Sequence, residues 1–112
     1  MKIISSINEL KLNPKLKYAS FNENVTATGE ISKLRKCNYL FISLPTQNIR
    51  EVCESYGKCE DFQQIIICSK GIEIKNKIFP YEIISSSFNT KKINILSGPN
   101  FSIEVAQNLP TA

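Results

Sequence analysis

Three stretches of this 112-residue sequence carry residues suited to holding an anion. Ser43, Leu44, Pro45, Thr46 and Gln47 close the apolar run YLFISL; Cys68, Ser69, Lys70 and Gly71 close QIIIC; Ser97, Gly98, Pro99 and Asn100 follow INIL. Lys70 is the strongest single candidate. A lysine directly after an isoleucine-rich buried strand costs desolvation unless its ammonium reaches water or an anion, and Gly71 beside it lets another molecule approach the backbone closely. The alternative is a lysine that merely snorkels to water. In the third stretch Gly98 tolerates positive φ, and the helix that follows offers amide hydrogens to an incoming oxygen or phosphate. A tight turn is the other reading there. Pro45 and Thr46 taken singly are a strand stop and a helix cap, and their placement among the other stretches makes them binding candidates.

The elements that must position these residues are legible in the hydrophobic pattern. Residues 39–44 read as a strand buried on both faces of a parallel sheet, residues 64–68 as a second buried strand and residues 93–96 as a third strand. Residues 46–56 read as an amphipathic helix with Ile49, Val52 and Cys53 on one side, Arg50, Glu51 and Glu54 on the other, and Gly57 as its stop. A second helix spans 78–88 around Ile83 and Ile84, and a last one begins near Phe101 with Glu104 outward and Ile103, Val105 and Ala106 able to pack. Before the first strand, Ile3, Ile4, Ile7, Leu10 and Leu12 give a short helix ending ahead of Asn13 and Pro14. Residues 15–24 are polar with Tyr18 and Phe21, 25–28 form a brief β-prone stretch closed by Gly29, and 30–36 suit one or two helical turns. Alternating strand and helix defines an α/β fold with a parallel sheet and right-handed crossovers. All three strand exits then meet on one rim, with Thr46, Lys70 and Gly98 expected along it.

Composition narrows the function. With 42% apolar and 21% charged residues, the chain is one small domain or a piece of one. It has no apolar run near the roughly 20 residues that span a bilayer, and its first residues lack a signal-peptide pattern, so no membrane role is expected and the cytosol is the expected compartment. Cys37, Cys53, Cys59 and Cys68 include no CxxC pair and the chain has no histidine. A standard zinc site or a His-assisted nucleophile cannot be built, no metal is expected, and the thiols read as reduced. Twelve of the fourteen basic residues are lysines, scattered through the chain. The densest cluster, Lys33, Arg35 and Lys36, is broken by Leu34, so the net charge of +4 does not point to nucleic acid. Lys58, Glu60 and Asp61 read as a solvated loop, and Lys91 with Lys92 as a polar bridge into the third strand. The glycines are Gly29, Gly57, Gly71 and Gly98 alone, so neither GxGxxG nor a Walker loop exists and a complete dinucleotide site is missing.

The succession YLFISLPTQNIREV, IIICSKGIE and INILSGPNFSIEVAQNLPTA resembles the middle of the bacterial NAD(P)-dependent glycerol-3-phosphate dehydrogenase family. The last block carries the most specific match: a serine, glycine, proline turn, an acidic-hydrophobic helix start and a closing leucine, proline, threonine, alanine. Hydroxyacid and 6-phosphogluconate dehydrogenases share the architecture but their substrate loops do not usually read SGPNF. The resemblance implies a nucleotide-binding domain serving hydride transfer between NAD or NADP and the secondary alcohol of sn-glycerol 3-phosphate, giving dihydroxyacetone phosphate. Lys70 matches the family lysine that contacts both cofactor and substrate, Gly98 and Asn100 fall at substrate-contacting positions, and Ser102, Pro45 and Thr46 fall on the cofactor side. Asn100 stands where the family usually has threonine or serine, and Ser102 where it usually has alanine.

The resemblance also implies absences. The family's glycine-rich first strand-turn-helix, the strand that reads the adenosine ribose, and the helical second domain with its proton-accepting lysine have no counterpart in the sequence. The expected structure is an incomplete Rossmann-like parallel sheet of about three to four strands with flanking helices, lacking the first βα unit. Residues 1–112 are then a partial NAD(P)-binding domain without a catalytic residue of their own, inactive alone and dependent on a completing polypeptide or a second copy. A non-catalytic remnant, or an interaction module that uses an open sheet edge, is the alternative.

Overall fold

A computed structural model describes residues 2–57, 64–89 and 92–110. In chain order its elements are α1 (Lys2–Leu10), β1 (Leu12–Asn13), β2 (Leu16–Ser20), a 3-10 helix (Ile31–Lys36), β3 (Tyr39–Ile42), a 3-10 turn (Thr46–Asn48), α2 (Ile49–Tyr56), β4 (Gln64–Ile67), α3 (Pro80–Ser87), β5 (Ile93–Ile95) and α4 (Ser102–Ala106). They form two compact units, residues 30–97 and residues 1–29 with 98–112. Cys59, Lys58, Glu60, Asp61, Lys91 and the closing Thr111 and Ala112 lie outside the described residues.

Residues 30–97 contain the expected parallel sheet, in the order β3, β4, β5. Leu40 pairs with Ile65 and Ile42 with Ile67, and Ile65 and Ile67 pair in turn with Ile93 and Ile95. Side chains alternate along a strand, so Ile42, Ile65 and Ile67 share one face. They form a single core with Ile49, Cys53 and Tyr56 of α2 and Ile83, Ile84 and Phe88 at α3. Both helices therefore cover the same side of the sheet. The expectation that 39–44 is buried on both faces fails for this reason: Tyr39 and Phe41 project from the opposite face and are 53% and 61% exposed.

Helix boundaries follow local chemistry. α2 starts after a 3-10 turn at Thr46–Asn48 and stops at Gly57, whose φ of 74° suits a residue without Cβ. α3 begins at Pro80 rather than at residue 78, because the residue ahead of a proline is held extended; Phe79 has ψ 156°, and its N–H is accepted by the Glu82 carboxylate at 2.8 Å. The 3-10 helix Ile31–Lys36 is fastened by Arg35, whose Nη2 donates to the Tyr56 carbonyl at 2.8 Å while the guanidinium lies 5.6 Å from the Tyr56 ring centroid.

Residues 1–29 and 98–112 depart more from expectation. The first helix ends at Leu10, Lys11 turns with φ 54°, and the polar stretch 15–24 contains β2, paired antiparallel with β1. The turn is written in Asn13 and Pro14: the Asn13 side chain accepts the Lys15 N–H at 3.0 Å and the proline presets its own φ. Residues 25–28 are not a strand. They are held by Asn8, which donates to the Ala27 carbonyl (2.9 Å) and accepts the Ala27 N–H (2.7 Å), and by Lys11, which donates to the Glu23 and Val25 carbonyls. α4 is only five residues long, and its Ile103 and Val105 are 58% and 51% exposed rather than packed. Asn108, with φ 56°, closes it through a Leu109 N–H bond to the Glu104 carbonyl at 3.0 Å.

Ile65 is fully buried at the centre of the sheet. Ile65→Ala is expected to cost about 2–5 kcal/mol in urea unfolding with an unchanged m-value; a loss below about 1 kcal/mol would contradict the core described above.

Candidate functional site

The parallel register sets the carboxyl ends of β3, β4 and β5 level, and polar bonds join the loops that leave β3 and β4. The Ser69 hydroxyl accepts the Leu44 N–H (3.1 Å) and donates to the Leu44 carbonyl (2.7 Å), clasping the first exit to the second. Thr46, 7% exposed, donates from Oγ1 to the Lys70 carbonyl at 2.7 Å. Gly71 follows with φ 107°, and a Cβ there would meet Thr46 Oγ1 at 3.8 Å. A bare, turned backbone thus stands next to the Lys70 side chain, which is exposed.

A cleft of about 730 Å³ opens at this rim, lined among others by Ser69, Lys70, Gly71, Tyr81, Glu82 and Ser97. Its charges are the Lys70 ammonium and the Glu82 carboxylate, the latter engaged by the Phe79 N–H. The Lys70 ammonium, the Ser97 hydroxyl and an approachable glycine backbone form a donor set for a phosphate-bearing ligand. Of the sequence candidates Lys70 lines this cleft, and Thr46, with Pro45 next to it in the chain, is joined to the Lys70 carbonyl without lining it. Asn100 and Ser102 belong to the other unit, where they line a cleft of about 570 Å³ with Ser20, Phe21 and Asn108. Gly98 precedes them as the first residue of that segment.

Four residues, Gln47, Arg50, Glu73 and Asn76, make contacts beside the rim that the sequence pattern does not contain. Arg50, expected on the solvent side of its helix, makes a two-point contact with buried Glu73: Nε to Oε1 at 2.6 Å and Nη2 to Oε2 at 2.9 Å. Asn76 Nδ2 adds a bond to Glu73 Oε2 at 2.7 Å. The Gln47 side-chain amide donates to the Ile72 carbonyl (2.9 Å) and accepts the Ile74 N–H (3.0 Å). No spacing rule links positions 47 and 50 to 72–74. Only the arginine and glutamate, opposite charges outside any charge run, offered a signal. The Arg50 hydrogen bond, helped by Asn76 and opposed by burial, holds the Glu73 carboxyl below the usual range. Cys53 shows the opposite effect: burial pushes its thiol up, which suits a core residue and not a nucleophile. Cys37, Cys53 and Cys68 are free thiols.

A parallel α/β sheet with polar loops at its carboxyl rim places the chain among the open α/β folds that bind ligands at that rim. The crystal structure of glycerol-3-phosphate dehydrogenase from Coxiella burnetii has this fold: the two superpose with a TM-score of 0.83 at 22% identity, over 98% of this chain and 34% of that one. Two curated relatives, from Neorickettsia sennetsu and Zymomonas mobilis, are named glycerol-3-phosphate dehydrogenase (NAD(P)+). They are 32% and 33% identical to 97% and 99% of this chain, which spans about a third of their length (33% and 32%). The family profile described as NAD-dependent glycerol-3-phosphate dehydrogenase N-terminus matches residues 1–112, and the chain belongs to that family. The family match takes in α1 and the β1–β2 hairpin as well as the three blocks.

The Glu73 carboxyl titrates lower in the folded chain than in the unfolded one, so its stabilisation is complete above the free value near about pH 4.3 and is lost as pH falls through the lower folded value. Glu73→Gln is expected to lower the urea midpoint at pH 7, and the gap between the two proteins is expected to close as the pH falls toward 3. A gap independent of pH would show that the Arg50 contact does not depend on the carboxylate.

Proposed function

We propose that this chain works within a glycerol-3-phosphate dehydrogenase, as part of the region that binds NAD or NADP and the phosphorylated substrate. The observation that carries this reading is the Lys70 loop, tied by its carbonyl to Thr46 at the rim of a parallel sheet. Lys70 would offer its ammonium to the cofactor and to the phosphate or oxygen of glycerol 3-phosphate. Pro45 and Thr46 would shape the cofactor side, Ser102 would contribute a further cofactor contact, and Gly98 with Asn100 would meet the substrate. When bound, the nicotinamide supplies the hydride acceptor. The chain's own residues bind and orient, while the base that takes the alcohol proton comes from outside residues 1–112. Such a division suits water-soluble phosphates handled in the cytosol.

A second reading rests on β3. It is an edge strand among the described residues, without charge or proline, beside an apolar groove of about 260 Å³ lined by Leu34, Leu40, Phe41, Leu44 and Val52. An uncharged edge of this kind pairs readily with another strand, from a completing polypeptide or from a second copy of the chain.

The tests are direct. Lys70→Met is expected to weaken NADH binding by about ten- to a hundredfold, the worth of a charge-assisted hydrogen bond, in titrations of NADH fluorescence polarisation. Dihydroxyacetone phosphate reduction, assayed with the chain alone and with coexpressed products of neighbouring reading frames, is expected only with a completing partner; no turnover in either case removes the enzyme reading. Light scattering of the wild-type chain against Phe41→Lys decides the second: a dimer that Phe41→Lys dissociates supports it, and a monomer in both removes the second-copy arm.

A further inference from the structure

Lys70 lies in a loop that the apolar core does not reach. The last buried residue of β4 is Ile67, and the next buried position is Glu73. Between Lys70 and Ile72 stands Gly71, the residue type that restricts its neighbours least. A lysine on such a segment would sweep a wide arc unless the chain were held on both sides of the glycine.

It is held on both sides by side chains of the 3-10 turn and the start of α2 that follow β3, alongside the bonds that Asn76, Lys77 and Ile78 make to Glu73. Thr46 takes the Lys70 carbonyl before the glycine. After it, Gln47 takes the Ile72 carbonyl and the Ile74 N–H, and Arg50 takes the Glu73 carboxylate with two parallel bonds. Positions 46, 47 and 50 thus grip residues 70, 72, 73 and 74. A contact needed only for stability could fall anywhere along the loop. These fall on either side of its one flexible joint.

We propose that Gln47 and Arg50 are positioning residues for Lys70, fixing the 72–74 backbone and Glu73 so that the ammonium is presented at the rim. The proposal rests on the reading of Lys70 as the anion-contacting group, and the experiment separates the two. Backbone ¹⁵N relaxation and NADH binding are measured on the full chain and on Gln47→Met, Arg50→Met, Arg50→Lys, Lys70→Met and Gln47→Met/Lys70→Met. In Gln47→Met and Arg50→Met the order parameters of Lys70 and Gly71 are expected to fall from about 0.85 to below about 0.6, with β4 unchanged. Their NADH affinity is expected to drop by about three- to tenfold, the cost of ordering a loosened group on binding.

Arg50→Lys keeps the charge without the planar fork and is expected to recover only part of the loss. Adding Gln47→Met to Lys70→Met is expected to weaken NADH no further, as required if Gln47 acts through Lys70. Unchanged order parameters overturn the proposal whether or not NADH binds, and so does an equal Gln47→Met effect with and without Lys70. If Lys70→Met leaves NADH binding intact while the loop still loosens, the role of Lys70 falls and the clamp stands. Gln47 is exposed, so Gln47→Met decides the matter even if Arg50→Met fails to fold.

Discussion

The register of three parallel strands is the constraint on which the rest depends. Ile42 beside Ile67 beside Ile95 brings the strand ends level, and the loops carrying Thr46, Lys70 and Ser97 leave from that line. A slip of one residue between β3 and β4 would turn Ile65 and Ile67 out of the core and displace Lys70 by about 3.3 Å along the rim. The residues that hold the register are therefore also the residues that place the candidate site, and the fully buried isoleucines of β4, α2 and α3 serve both ends.

Above that apolar layer the rim is governed by different physics. Burial fixes which face of a strand points inward but says little about the path of a loop. Here the path is set by directional bonds: the Ser69 hydroxyl between two exits, Thr46 on a carbonyl, and a guanidinium fork on a carboxylate. Hydrophobic packing builds the platform, and hydrogen bonds aim what stands on it.

This division explains what could be read in advance. The three strands, α2 with its Gly57 stop, and the gathering of Pro45, Thr46 and Lys70 follow from local pattern and from the geometry of parallel sheets. The Arg50–Glu73 pair and the Gln47 grip join residues more than twenty positions apart through polar groups with no period, and no local rule contains them. β1 and β2 were hidden for another reason: Asn13 and Pro14 do signal a turn, but the flanking residues lack the β-branched alternation that marks a strand. The one-sided exposure of β3 is not legible in the sequence, because an unbroken apolar run does not reveal how many layers cover it. Phe41 and Tyr39 are apolar or aromatic by type and outward by position.

Asn8 and Gln47 use one device in two places. Each carboxamide mimics a peptide group, offering N–H to one backbone carbonyl and oxygen to one backbone N–H. The chemistry of ageing acts on this kind of group, because hydrolysis replaces the amide nitrogen with an oxygen. At Asn8 or Gln47 that single atom change would set acceptor against acceptor, at Ala27 or Ile72, and turn a clasp into a repulsion. The long-term integrity of both segments therefore depends on the slowness of one hydrolysis at two side chains.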